Sequence, residues 1–211
     1  MQNLDSLHAA VLNGDARTAK AVTQEALAEG VEPLKLVQDY MMPAMAEVGR
    51  RFESNEYFVP ELLISARAMK AALELIRPLL IASGSEPVGR VALGTVKGDL
   101  HDIGKNLVGA MLEGGGFEVL DLGVNVPPER FIAAVKEKKA NIVAMSALLT
   151  TTMPAMKTTI DALKEAGVRD QVKVLIGGAP ITAGYATEIG ADSYSESAAG
   201  VVSAARRVVC A

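Results

Sequence analysis

The sequence predicts a four-helix bundle over residues 1–81, joined by a linker at 82–88 to a doubly wound, flavodoxin-like α/β domain over 89–211 with a five-stranded parallel sheet. Three observations predict it. Apolar residues recur at helical spacing through the first half, where no stretch alternates as a strand does. In the second half, short runs rich in Val, Ile and Leu take turns with helical stretches, the pattern of a parallel sheet covered on both faces. Between the halves, "ASGSEP" from Ala82 to Pro87 is small and polar, as domain boundaries are.

The elements follow in order. Leu4, Leu7, Ala10 and Val11 share one helical face, and Asn13-Gly14 stops that run. Asp15 is placed to cap a second helix, which ends near Glu29-Gly30. A third helix runs from about Glu32 to Phe52, with Pro33 in its first turn, where a missing N–H costs nothing. A fourth runs from Val59-Pro60-Glu61 to about Ile81 on Leu62, Leu63, Ala66, Met69, Ala72, Leu73, Ile76 and Leu79, with Pro78 as a kink or early stop. Short connections favour antiparallel neighbours, hence a bundle. Then come the strands "VGRVALGTV", "FEVLDLGV", "NIVAMSAL" and "QVKVLIGGA", with a weak fifth at "ADSYS". The helices between and after them cover about 104–113, 128–139, 153–166, 183–189 and 198–209.

Composition narrows the function. Half of the residues are hydrophobic and none is Trp, so the core is built from Ala, Val, Leu, Ile and Met. A net charge of -4 carries no footprint for nucleic acid. The single cysteine, Cys210, excludes an internal disulfide and any multi-cysteine metal site, and it suits a reducing compartment. No apolar run approaches the roughly 20 residues that span a bilayer, and no signal peptide is evident. The expectation is a cytoplasmic protein with neither a nucleic-acid nor a membrane partner.

One stretch stands out: "GTVKGDLHDIGKNLVGAMLEGGG", Gly94 to Gly116. It holds His101, one of two histidines, between the first strand of the sheet and its first helix. In such a sheet, ligands bind beyond the carboxyl ends of the strands. Asp99, two residues earlier, can accept a hydrogen bond from one ring nitrogen, leaving the other as a lone-pair donor. A histidine that merely decorates the loop is the other reading. One histidine does not make a zinc site. A metal held here would arrive with most of its ligands attached, as in a tetrapyrrole-like cofactor needing one axial imidazole. Gly104 would let a large group approach closely.

Asp99-x-His101-x-x-Gly104 resembles the cobalamin-binding motif of corrinoid proteins. Its partners are present as well. Ser146-x-Leu148 follows 41 residues after Gly104, counting 105 to 145, and Gly177-Gly178 follows 28 residues after Leu148, counting 149 to 176. Singly, a Ser at a strand end reads as a cap and two glycines as a tight turn; the three parts together carry the likeness. It implies a cobalamin-type corrinoid, methylcobalamin in the loaded state, bound base-off with His101 as the lower cobalt ligand. Asp102 and Ile103, inside the motif, would contribute to the same site. The displaced nucleotide tail would enter a slot lined by Ser146 and Leu148, with room left by Gly177 and Gly178. Thr150 and Thr152 lie where the tail or the ligand loop could be hydrogen-bonded. Thr152 stands where some relatives extend the Asp-His pair with a serine.

The helical half carries a second resemblance. "RRFESNEYFVPELLISARAM", Arg50 to Met69, is similar to the helical cap of methyl-carrying corrinoid proteins and of cobalamin-dependent methionine synthase. It implies that Phe52, Phe58, Val59 and Leu62 cover the upper face of the corrin; on periodicity alone they would be bundle core. The function implied is a methyl carrier between a methyl-donor-specific methyltransferase and a second methyltransferase with a tetrahydrofolate-type or thiol acceptor. A reductive activating protein would be a further partner, and the chain would be a corrinoid subunit rather than an enzyme alone. The alternatives are a cobalamin-dependent sensor or regulator, which would need a DNA-binding segment, and a mutase small subunit, which lacks this helical half.

Overall fold

The computed structural model describes residues 4–82 and 87–209, apart from the side chain of Ile81. Cys210 and most of the expected linker lie outside the described residues. The chain divides into two units, Met1–Pro87 with Ala110–Gly116 and Val88–Gly109 with Phe117–Ala211.

The first unit holds α1 (Asp5–Leu12), α2 (Ala16–Ala28), α3 (Pro33–Lys35), α4 (Met42–Glu53) and α5 (Val59–Ala82). Asp15 caps α2 as its position suggests, accepting from the Thr18 amide at 3.0 Å. The third expected helix is continuous but not uniform, because Leu36–Met41 between α3 and α4 is π-helical. The extra residue of a π turn leaves no composition signature, so periodicity could not show it. Pro78 does not end α5, which passes through it to Ala82. Leu7, Val11, Leu36, Met41, Met45, Leu62, Met69 and Ile76 are buried, each worth about 1.5–3 kcal/mol relative to exposure. Thr23 on α2 is also fully buried, yet its hydroxyl has no hydrogen-bond partner. Thr23→Val is therefore expected to stabilise the protein by about 1 kcal/mol in chemical denaturation, because it removes an unpaid desolvation without changing shape.

The second unit is a single parallel sheet of β1 (Arg90–Val96), β2 (Glu118–Val126), β3 (Ile142–Ser146), β4 (Lys173–Gly177) and β5 (Ser193–Tyr194), in the order β2-β1-β3-β4-β5. This is the flavodoxin-like order. Its helices are α6 (Ile103–Gly114), α7 (Pro128–Lys138), α8 (Pro154–Glu165), α9 (Ala183–Ile189) and α10 (Val201–Val209). The last begins three residues later than periodicity suggests, after a turn in which Ser197 Oγ accepts from the Gly200 amide at 3.0 Å. β1, β3 and β4 are apolar and buried almost throughout. β2 is not covered in the same way: it is an edge strand, half open along most of its length. Phe131, Met145, Met156, Ile160, Leu163 and Ile176 belong to one buried cluster of the sheet and its helices. Phe131 explains Gly94 in β1, where a Cβ would come within 2.9 Å of its ring.

The strand order places the switch point between β1 and β3, whose outgoing connections diverge. Register then aligns the motif. Thr95 pairs with Ser146, and Ser146 pairs with Gly177. Three sequence fragments more than 25 residues apart thus meet in one row at the carboxyl edge of the sheet.

Candidate functional site

The site is built on the loop between β1 and α6. β1 ends at Val96, and the chain turns at Gly98, whose φ of 86° favours glycine. The turn drives Asp99 inward until it is fully buried, while the His101 side chain stays 50 % exposed. Their separation of two residues does what it suggests. His101 Nδ1 lies 2.7 Å from Asp99 Oδ1, and the His101 amide donates to the same oxygen at 3.0 Å. Buried Thr95 donates its hydroxyl to the His101 carbonyl at 2.9 Å, fixing the backbone beneath the ring.

The second oxygen of Asp99 reaches the loop after β3. It accepts from the Leu148 amide at 2.8 Å and from the Thr152 hydroxyl at 2.7 Å. Thr152 thus extends the Asp99–His101 pair by a hydroxyl; Thr150 stays exposed on the same loop. The added methyl of Thr152 is accommodated, since the residue is buried. Tyr185 on α9 closes the arrangement from behind, its hydroxyl donating to the Met153 carbonyl at 2.8 Å.

Burial alone would push the Asp99 carboxyl up. Hydrogen bonds from the Thr152 hydroxyl, the His101 and Leu148 amides and the His101 ring overturn that and hold it well below the usual carboxylate range. An ionised Asp99 has no proton to give, so Nδ1–H of His101 is the donor. Nε2 is the ring nitrogen left over for a metal. Among the described residues no three His, Cys, Asp or Glu side chains gather into a metal site.

The surroundings fit a flat group that brings its own metal. Leu100, Ile103, Val124, Leu148 and Leu149 are exposed apolar side chains on loops, near the end of β2 and at the start of α6. A Cβ built on Gly104 would meet no atom within 4 Å, so space stands open beside the His101 loop. Asp102 is exposed and takes a hydrogen bond from Asn106 at 3.2 Å. Gly177 and Gly178 have reasons of their own. A Cβ on Gly177 would come 3.1 Å from the Ser195 carbonyl oxygen. Gly178 has φ of 134°, and a Cβ there would lie 1.9 Å from the Ala147 carbonyl oxygen. The second glycine lets the β4 end touch the turn after Ser146, which shapes the strand-end row.

In the helical unit the four apolar candidates part company. Phe58, in the turn between α4 and α5, is 61 % exposed; Phe52 and Val59 are half-buried; Leu62 is fully buried in the bundle. The turn is rigid. The Arg51 carbonyl accepts from the Glu56 and Tyr57 amides, its guanidinium stacks 5.2 Å from the Tyr57 ring, and Glu61 caps the Phe58 amide at 2.9 Å.

Sequence reasoning missed three supports of this site: Thr95, the pair of Lys105 with Asp121, and Asn125. The aspartate left a trace, since a charge inside the apolar run "FEVLDLGV" needs a reason. The others carry no local signal.

The chain is similar to known proteins over nearly its whole length. A family model described as a B12 binding domain matches residues 89–203, and a second of that description matches residues 4–77. The chain is 45 % identical to trimethylamine corrinoid protein 1 of Methanosarcina acetivorans, over 95 % of this chain and 94 % of that one. It is 42 % identical to the dimethylamine corrinoid protein of Methanosarcina barkeri, over 98 % and 97 %. Among solved structures, it resembles the methanol:cobalamin methyltransferase complex MtaBC from Methanosarcina barkeri with a TM-score of 0.86 and 31 % identity, over 99 % of this chain and 80 % of that one. A cobalamin-binding protein from Desulfitobacterium hafniense matches with a TM-score of 0.79 and 35 % identity, over 98 % of both chains.

Proposed function

The chain belongs to the corrinoid proteins with B12-binding domains, and from that premise we propose that it carries a methyl group between two methyltransferases, with His101 as the lower ligand of a base-off corrinoid. The observation that carries the reading is the Asp99–His101 pair, in which a buried carboxylate holds Nδ1 of a half-exposed imidazole on a loop with open space at Gly104. A methylated amine is the donor class best supported, because the trimethylamine and dimethylamine relatives are more similar in sequence than the methanol complex. The acceptor is a tetrahydrofolate-type or thiol compound on a second enzyme, and a reductive activating protein maintains the cycle.

The bound corrinoid supplies a cobalt that accepts and gives up the methyl group. The chain's own residues control the lower side. Asp99 holds Nδ1 and the ring orientation, and so would present Nε2 to the cobalt. The carboxylate is itself held ionised by the Thr152 hydroxyl and the Leu148 amide, so it would keep the imidazole oriented whether or not a metal is bound. Ser146, Leu148 and the two glycines line the slot for the displaced tail. Phe58, with Val59 and Phe52, would be the helical unit's apolar contribution to covering the cofactor, which would exclude water between turnovers. Leu62 supports that cover from the bundle core.

His101→Ala is expected to weaken cobalamin retention by roughly tenfold or more and to shift the visible spectrum of the reconstituted protein toward the water-ligated form. An unchanged spectrum would remove His101 as ligand. The carrier role is tested with a trimethylamine methyltransferase and its substrate, by extracting the cofactor and measuring its methylated fraction. No methylation with trimethylamine, dimethylamine or methanol systems would refute it.

A further inference from the structure

β2 does not run smoothly beside β1. Leu93 faces Asp121, Gly94 faces Gly123 and Val96 faces Val126, so the register slips twice within a few residues. Each slip puts one extra residue into β2, a bulge. Gly123 and Asn125 both take left-handed backbone there, with φ of 87° and 51°. Bulges re-aim side chains, and both of these aim one at the His101 loop or at the helix that follows it.

The first grip is an ion pair. The Lys105 side chain, on the first turn of α6, is only 2 % exposed. Its Nζ donates to both oxygens of Asp121, at 2.7 and 2.6 Å, and to Asn106 Oδ1 at 2.7 Å, which uses all three ammonium protons. Asp121 Oδ1 also accepts from the Gly123 amide at 2.9 Å, so bulge and ion pair fix one another. Asn106 hands the connection to Asp102, the neighbour of His101. The second grip is Asn125. Its amide donates to the Asp99 carbonyl at 2.9 Å, and its Oδ1 accepts from the Gly98 amide at 2.8 Å.

The topology gives these contacts a direction. β1 lies between β2 and β3, and the Asp99 carboxylate is held from the β3 side by Leu148 and Thr152. Asn125 holds the same residue's backbone from the β2 side. Stability alone does not call for a buried lysine, since an apolar side chain of similar length would join α6 to β2 as well. An ion pair with every donor engaged does something different: it sets one position for the first turn of the helix against the strand.

We propose that the double bulge of β2, acting through the Lys105–Asp121 pair and Asn125, is a second brace that positions the His101 loop for cobalt. This rests on the function proposed above. Lys105, Asp121 and Asn125 are positioning residues; none is assigned a contact with the cofactor.

The test uses the full chain, first cofactor-free and then titrated with hydroxocobalamin. Lys105→Met keeps length without charge and leaves the half-exposed Asp121 to water; Asn125→Gly keeps the left-handed backbone without the side chain. Each variant is expected to bind hydroxocobalamin roughly tenfold more weakly and to show a smaller histidine-ligated fraction in the visible spectrum. In the cofactor-free protein, Asn125→Gly is expected to speed hydrogen exchange at the Gly98 amide by about tenfold. Asp192→Asn is the comparison for plain structural loss. It breaks the Arg169–Asp192 pair in the same unit and is expected to lower the melting temperature while leaving all three readouts unmoved. Wild-type affinity and spectrum in both variants would overturn the brace and leave the carrier reading intact. Should Lys105→Met fail to fold, Asn125→Gly decides alone. Should wild-type protein fail to take up hydroxocobalamin, the carrier reading falls, and unchanged Gly98 exchange in Asn125→Gly would then overturn the brace independently.

Discussion

Replacing Asp99 with alanine is expected to lower the stability of the cofactor-free protein by about 3 kcal/mol, read from guanidinium unfolding of the two proteins. Among the described residues the carboxylate is the only partner of the Leu148 amide and the His101 amide, and it joins two loops that follow different strands. Thr152 keeps an alternative acceptor in the Leu149 carbonyl at 2.9 Å, so the loss falls mainly on the two amides and the ring. Asp99→Asn retains one acceptor oxygen but turns an N–H toward donors, and it should fall between wild type and alanine. The sign of the pH dependence follows from the lowered pKa. Ionised Asp99 contributes fully above its unfolded-state value near 3.8, and the contribution is lost as the pH falls from there through the lower folded-state value. The gap between wild type and Asp99→Asn should therefore be wide at neutral pH and close below about pH 4. A gap under about 1 kcal/mol at neutral pH would mean that the two loops are not built on this carboxylate.

Gly178→Ala is expected to be as damaging or worse, with a loss of about 3–4 kcal/mol or failure to fold. Both the left-handed φ and the 1.9 Å approach to the Ala147 oxygen oppose a side chain, and the atom in the way is backbone, which cannot swing aside. Gly104→Ala is the instructive contrast. It lies in the first turn of α6 with nothing within 4 Å of the new methyl, so the cofactor-free protein should be as stable as wild type or slightly more so. Its cost is expected to appear only in the hydroxocobalamin titration, as weaker binding, because the open space is the space the cofactor would use. Equal stability for the two alanine variants would contradict the geometry at the strand-end row.

Much of this site was legible because its chemistry is local in sequence. Asp99 and His101 are two residues apart and meet by the turn of a single loop. Ser146 and Gly177 stand at the ends of apolar runs whose limits composition marks. Thr152 could be located by its distance from Ser146. Phe58 and Leu62 show where local pattern stops. Both are apolar and four residues apart, which periodicity reads as one face, yet the α4–α5 turn displays the first at 61 % exposure and the bundle buries the second. The π-helical stretch after α3 and the passage of α5 through Pro78 were equally hidden, because packing around a helix decides whether it tolerates either.

From its sequence alone this chain declares a helical half, an alternating half, their order, and the fragments of a corrinoid-binding motif at three strand ends. The halves and their order follow from periodicity and backbone preference, which act over a few residues; the motif is a resemblance carried by Asp99, His101, Gly104, Ser146, Leu148, Gly177 and Gly178. Only the tertiary structure decided that the fragments fall into one row, that β2 forms an open edge with two bulges, and that Asp121 and Asn125 reach α6 and the His101 loop from it. These depend on strand order and register. Hydrogen bonds between residues 16 to 53 positions apart settle them, and such pairings form only after the chain has folded back on itself.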